Sequence, residues 1–170
     1  MAVYSPTADT HTLAALRADL NQLRNPIPRP AHRQRIRTPG GHRFTRWTQP
    51  QPLHPLLVLL RHAADGQHTT VRGPERRPKP GSRPPGSLDA MDLLARVTVG
   101  IAGWHNGLAL PSPPRDSDWQ LYALGQIHDE ARRWTPDTVT AVAQDVHDWW
   151  RWAAAASGLS QQELHDMRNL

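Results

Sequence analysis

"PDTVTAVAQDVHDWWRWAAAAS", residues 136–157, is the clearest helix signal in the chain and decides its fold class. Thr135 can cap the first turn, Pro136 suits the first helical position, and Gly158 suits the residue after the last turn. At about 100° per residue, the apolar side chains form a single stripe. Its members are Val139, Val142, Val146, Trp149, Ala153 and Ala156. The stripe predicts a long helix that buries one side in a core.

The three tryptophans of this helix do not share one environment. Trp149 lies inside the apolar stripe, and Trp150 lies near one edge of it. Trp152 lies on the opposite edge, where its ring can pack while its N–H finds a partner. We therefore expect two core residues and one boundary residue. The alternative is a platform on which bases stack, with Trp152 as its main member.

The residues around this helix predict more helices joined by short loops. Ser87 can cap a helix that runs to about Trp104, and its apolar stripe consists of Met91, Leu94, Val97, Ile101 and Trp104. Ser117 with Gln120 has the spacing of a capping box, and so does Ser160 with Glu163 before a last short helix. Short connections favour antiparallel neighbours. We expect residues 87–170 to form a small, acidic, Trp-rich helical bundle.

Two further helices are predicted in the first half of the chain. In residues 53–66 the apolar side chains point all round, which favours a buried helix over a surface one, although a strand is the alternative. In residues 1–25, Leu13, Leu16, Leu20 and Leu23 form the stripe of an amphipathic helix. That stripe can pack on its own domain or pair with a second chain as a dimer seam.

The remaining front segments are rich in proline and arginine. Residues 26–52 read as a basic segment of low order, with a short hairpin turning at residues 39–41 as an alternative. Residues 67–86 read as a Pro/Gly/Arg-rich linker. The fold class predicted is thus mainly α: a small helical bundle with a partly disordered, Pro/Arg-rich N-terminal half.

The composition excludes several classes of protein. The 170 residues contain no cysteine, which leaves no disulfide or thiolate metal site and fits the cytoplasm. No apolar run is long enough to cross a membrane, and the first residues do not resemble a secretory signal. The net charge of +5 divides unevenly: residues 1–85 hold 14 Lys+Arg against 4 Asp+Glu, and residues 86–170 hold 6 against 11.

The basic front is the main functional lead. Arginines neutralise phosphates, and interleaved aromatic rings stack on bases, so this pattern favours binding of DNA or RNA. The candidate residues are Arg29, Arg33, Arg35, Arg37, Arg43, Arg46, Trp47, Arg72, Arg76, Arg77, Lys79 and Arg83. The simpler interpretation is a solvated arginine-rich tail that packs on the acidic half. A module in which the helical C-terminal half docks another protein is the alternative function.

Nothing in the motifs points firmly to an enzyme. No nucleophile elbow, phosphate loop, dinucleotide fingerprint or zinc helix is present, and no cofactor or catalytic residue is predicted. "GIAG" at residues 100–103 favours close packing over phosphate binding. Three His-Asp dipeptides, at 128–129, 147–148 and 165–166, leave a metal-dependent hydrolase as a third hypothesis, with His105 as a further ligand. Solvated helix faces explain them more simply.

"HPLLVLLRHAADG" (54–66), "GSRPPGSLDAMDLLARV" (81–97) and the spaced tryptophans resemble a group of small uncharacterised proteins of actinobacteria and their phages and prophages. The resemblance covers roughly residues 53–157. Many members of that group continue into a cysteine-containing, zinc-knuckle-like tail, whereas this chain contains no cysteine. The resemblance implies an origin and a class, namely a phage- or prophage-type accessory protein. It implies no activity and no site residues.

Overall fold

A computed structural model describes residues 10–29, 32–37, 41, 43–48, 51–66 and 87–159. Its helices are α1 (Thr10–Arg24), α2 (Leu56–Ala64), α3 (Leu88–Gly107), α4 (Trp119–Glu130) and α5 (Pro136–Ser157), with a 3-10 turn at Ala131–Arg133. Strands β1 (His32–Arg37) and β2 (Arg43–Thr48) pair antiparallel. The mainly α fold class is confirmed. The predicted linker at 67–86 and the predicted last helix after Ser160 lie outside the described residues.

Local capping signals explain the starts of α3, α4 and α5 and the end of α5. The Ser87 hydroxyl accepts from the amide of Ala90, Thr135 caps α5 ahead of Pro136, and Gly158 closes α5 at a φ of 71°. The cap predicted for α4 was wrong by one residue. Asp118 rather than Ser117 is the N-cap of α4, because its carboxylate accepts hydrogen bonds from two successive amides of the first turn.

Helix α1 belongs to the core, as the interpretation in which its stripe packs on its own domain predicts. Leu16, Leu20 and Leu23 are at most 1% exposed, and α1 packs along α5. The leucine stripe is therefore used inside its own chain and is not left over as a dimer seam. Each of these side chains contributes about 1.5–3 kcal/mol by leaving water.

Helix α2 is shorter than the predicted 53–66 segment. It begins at Leu56, because Pro55 fixes the backbone before it and disfavours helical geometry at the preceding residue. Leu53 instead pairs through its backbone with Ile27. The buried character predicted for this helix is confirmed by Leu56, Leu57, Leu59 and Leu60, which are at most 2% exposed. α2 packs against α3 and α5 in the middle of the bundle.

The tryptophans of α5 occupy the environments predicted for them. Trp149 and Trp150 are buried at 3% and 7% exposure, and Trp152 is half-buried against the core. The Trp150 indole Nε1 donates to Gln22 Oε1 of α1 at 2.6 Å. The ring of Trp149 lies on α3 at Gly100, where an added Cβ would stand 2.6 Å from its Cζ2 atom. Gly100 thus permits the close approach of α3 and α5, while Gly103 faces open space.

One polar network joins three helices beside the apolar core. The guanidinium of Arg61 on α2 donates to both carboxylate oxygens of Asp118 and to Gln120 Oε1 at the start of α4. The Gln120 amide then donates to Thr98 Oγ1 of α3 at 2.6 Å. The hydrogen bond from Arg61 lowers the pKa of Asp118, and the amides of Leu121 and Gln120 act in the same direction against partial desolvation.

Candidate nucleic-acid interface

The β1–β2 hairpin is tied to the bundle at its base. Ile27 and Leu53 exchange two backbone hydrogen bonds of 2.9 Å each, just before β1 and just after β2 in the chain. Ile27 is 1% exposed and belongs to the core, and Leu53 packs against it. This bridge therefore attaches the basic hairpin to the same apolar core that holds the helices.

The bridge and the hairpin share one register. Every partnered pair of the hairpin, from His32↔Thr48 to Arg37↔Arg43, has residue numbers that add to 80, and so does the Ile27↔Leu53 bridge. In that register Pro28 stands opposite Pro52. Because Ile27 and Leu53 form a hydrogen-bonded pair, positions 28 and 52 are a non-hydrogen-bonded pair whose amide sites point away from the partner strand, and proline is tolerated there.

The register divides the hairpin into two faces. Residues directly opposite in an antiparallel ladder share a face, and successive residues alternate between faces. One face of the ladder takes the odd-numbered positions, Arg33, Arg35, Arg37, Arg43, Thr45 and Trp47. The other takes His32, Gln34, Ile36, Phe44, Arg46 and Thr48. Four arginine positions and a tryptophan thus share one face, which we call the arginine face, and Ile36 is paired with Phe44 on the other.

The structure places the predicted binding residues unevenly. Trp47 is 62% exposed, far more than any tryptophan of the bundle core. Arg29, which follows α1 in the chain and precedes β1, is half-buried, and Arg46 takes the ladder face opposite Arg33. The second basic cluster, Arg72, Arg76, Arg77, Lys79 and Arg83, lies outside the described residues.

The His-Asp pairs meet protein partners. His128 accepts from Arg17 Nε at 3.3 Å, and its other ring nitrogen contacts the carboxylate of Asp129 at 2.8 Å, which lowers the pKa of Asp129. His105 contacts the Pro111 carbonyl. Within the described ranges no three His, Asp or Glu side chains come together as a metal site requires, and His165-Asp166 lies outside those ranges.

His147 contacts other side chains, whereas a solvated helix face was the simpler expectation for the His-Asp pairs. Its Nδ1 lies 3.1 Å from Oδ2 of Asp19 on α1, and its ring stacks on Trp150 with centroids 5.7 Å apart. The Asp19 side chain is only 4% exposed, while His147 remains 46% exposed. The pair lines a pocket of about 240 Å³ between α1 and α5, together with polar residues such as Thr12 and Gln144 and apolar ones such as Leu16 and Ala143.

Sequence reasoning missed this pocket for a physical reason. Asp19 and His147 are 128 residues apart, and neither helix pattern reveals which helix it will meet. The only available signal was a carboxylate beside the apolar stripe of α1. A buried carboxylate needs a partner, which favours a cationic or donating residue across the contact.

The described residues define a class of protein: a mainly α bundle that carries an anchored, arginine-rich hairpin. Residues 9–159 match a family model described as a domain of unknown function, DUF7341, and the chain belongs to that family. The match runs through α1, the hairpin and all of the bundle, so the hairpin is part of the family's unit. No curated protein and no solved structure matches the chain.

The length and apolarity of the helices also determine whether they could span a membrane. None of those in the described segments is both long enough and apolar enough to cross a bilayer.

Proposed function

We propose that this chain is a non-enzymatic accessory protein that binds nucleic acid through the arginine face of its hairpin. The observation that carries the proposal is the register of β1 and β2, which brings Arg33, Arg35, Arg37 and Arg43 to the same face as the exposed Trp47. Guanidinium groups pair with phosphates, and an exposed indole ring stacks on an unpaired base. An anchored hairpin holds these ladder positions in a fixed order.

The arrangement favours contact with the backbone and with stacked bases over reading of a sequence. Arginines on a short ladder, spaced by about two residues or roughly 7 Å, match the spacing of successive phosphates along a strand. Binding of this kind depends on charge, so affinity falls as salt rises. With four phosphate contacts we expect log K to fall with log salt at a slope of about −3 to −4.

The test is binding of fluorescently labelled single-stranded and duplex DNA and RNA to the full chain, measured by anisotropy over a range of salt. Replacing Arg33, Arg35, Arg37 and Arg43 together by glutamine should abolish most of the binding and flatten its salt slope. The matched control replaces four exposed arginines of the bundle by glutamine: Arg115, Arg132, Arg133 and Arg151. It removes the same charge and should leave most of the affinity in place.

Two results would overturn the proposal. One is the absence of binding at about 50 mM salt, where phosphate contacts are strong. The other is an equal loss of affinity in the hairpin variant and in the bundle control, which would reduce the effect to net charge.

The alternative function, a protein-interaction module in the helical C-terminal half, is supported by a separate observation. Large apolar side chains are exposed along α3, on the side away from the core.

A further inference from the structure

Helix α3 is apolar on two sides. Ala90, Val97 and Ile101 face the core, as the sequence predicted for Val97 and Ile101. Met91, which was assigned to the same stripe, is instead 52% exposed, and Leu88 and Val99 are 79% and 72% exposed. Three of the five large apolar side chains exposed in the described parts of the chain therefore lie on this one helix.

These exposed residues form a continuous outer stripe. At about 100° per residue, Leu88, Met91, Ala95, Val99 and Ala102 fall within a sector of about 80°. Ala95 is exposed and Ala102 half-buried. A helix that is apolar all round normally has a partner on each side. An exposed apolar stripe of this length marks an interaction surface.

The linker that precedes α3 does not suit this stripe. Residues 67–86 contain one apolar side chain, Val71, among prolines, glycines and charged residues. One valine cannot bury three large side chains.

We propose that the outer stripe of α3 is a homodimer interface in which a second copy of α3 packs antiparallel to the first, with a two-fold axis at Ala95. The spacing of the stripe is symmetric about Ala95, with members four and seven residues away on each side. An antiparallel copy therefore brings Met91 opposite Val99, Leu88 opposite Ala102, and the two Ala95 residues together. Large residues meet smaller ones, and the smallest meet where the helices approach most closely.

The charges beside the stripe fit the same orientation. Asp92 and Arg96 flank one edge and form an ion pair of 2.9 Å within α3. In the antiparallel pair, Arg96 of one copy comes within about 3 Å, along the helix axis, of the level of Asp92 of the other. In a parallel pair, the Asp92–Arg96 edges of the two copies lie on opposite sides of the interface and cannot pair across it. Charge complementarity thus selects the antiparallel dimer.

The chain is suited to a direct test because it contains no cysteine. Oxidised Ala95→Cys should form a disulfide-linked dimer, since residues at the axis come within bonding distance. Leu88→Cys should not, because two copies of residue 88 lie about 20 Å apart along the antiparallel helices. A mixture of Leu88→Cys and Ala102→Cys chains should link to each other. Ala141→Cys, at an exposed position on α5, measures linking by random collision.

Sedimentation velocity of the unmodified chain supplies the second measurement. A contact through one helix is small, so we expect a dissociation constant on the order of 10–100 µM. Met91→Gln with Val99→Gln should make the chain monomeric at every concentration, and Ala141→Gln should leave the dimer unchanged. Both positions are exposed, so these variants keep the core intact, which circular dichroism checks.

Several results would overturn the proposal. One is a wild-type chain that stays monomeric at high concentration. Another is Leu88→Cys linking to itself as readily as Ala95→Cys, which would make the pair parallel. A third is a full chain that stays monomeric while a chain shortened by residues 160–170 dimerises. That result would assign the stripe to the chain's own C-terminal segment, which carries Leu164, Met167 and Leu170. None of these measurements uses nucleic acid, so they stand apart from the test of the hairpin.

Discussion

The bundle and the hairpin use similar residues in opposite ways. In the bundle, Trp149 and Trp150 are buried, and the leucines of α1 complete a core with α5. In the hairpin, Trp47 is exposed and shares a face with arginines. The two regions are joined by a backbone bridge at Ile27 and Leu53. If the hairpin binds as proposed, the comparison places stability in the bundle and binding in the hairpin, and single substitutions should affect one without the other.

The largest expected effect is a loss of stability in the bundle. Leu20→Ala removes a side chain that is 0% exposed in the α1–α5 contact, and should lower the free energy of unfolding by about 2–5 kcal/mol. Leu88→Ala, at a position that is 79% exposed, should change it by less than about 0.5 kcal/mol. Urea denaturation followed by circular dichroism measures both. Equal effects at the two positions would mean that α1 is not part of the core.

Next in size is a pair of glycines on one helix. Gly100→Ala places a Cβ against the Trp149 ring and should destabilise the chain by about 1–3 kcal/mol. Gly103→Ala meets nothing within 4 Å and should stabilise it by up to about 1 kcal/mol through helix propensity. The two glycines are three residues apart, so thermal unfolding of the pair separates packing from propensity. A stabilised Gly100→Ala chain would contradict the close approach of α3 and α5.

In the hairpin, a substitution should change binding and leave stability unchanged. Trp47→Ala should weaken binding to single-stranded DNA or RNA by about 1–3 kcal/mol, since one base loses its stacking partner. Its unfolding midpoint should stay within the error of wild type. Trp119→Ala, at a tryptophan of α4 that is 39% exposed, is the matched control and should retain affinity. Anisotropy titration measures the affinity, and a melting curve of the same samples measures stability. A Trp47→Ala chain with a lowered melting temperature would mean that the ring stabilises the fold.

The smallest effect concerns acid. Arg61 lowers the pKa of Asp118, so the ionised carboxylate stabilises the fold above its ordinary pKa of about 3.9 and the contribution disappears as pH falls through the lowered folded value. Asp118→Asn keeps the N-cap acceptor and removes the charge. We expect it to cost less than about 1 kcal/mol near neutral pH and to flatten the fall in stability below about pH 4. Denaturation midpoints of both chains from pH 3 to pH 7 measure this. The same pH profile in wild type and Asp118→Asn would contradict the role given to the carboxylate.

Much of the fold was predictable because its signals are local. Ser87, Thr135 and Gly158 act on the turn beside them, and the α5 stripe separated Trp149 from Trp152 without any knowledge of partners. The choice between Ser117 and Asp118 as a cap was not local. Both are good caps, and Asp118 also meets Arg61 from a helix 57 residues away.

The candidate site was only half predictable. Composition located the basic segment, but the grouping of Arg33, Arg35, Arg37 and Arg43 on one face depends on strand register, and a shift of one residue would have changed it. The exposure of Met91 depends on which side of α3 meets the core, and residues on both sides are apolar. The contact of Asp19 with His147 depends on how α1 lies on α5, which no local pattern encodes.

That contact has a consequence for how the chain acquires its shape. α1 packs chiefly on α5, and the hydrogen bonds that join them link residues 128 positions apart. Contacts so distant in sequence slow folding, because a long loop must close before they form. During synthesis the leucines of α1 emerge before α5 and stay without their main partner until α5 leaves the ribosome. Helix α1 therefore becomes stably packed only after α5 is made, and until then it is a segment that a chaperone would meet exposed.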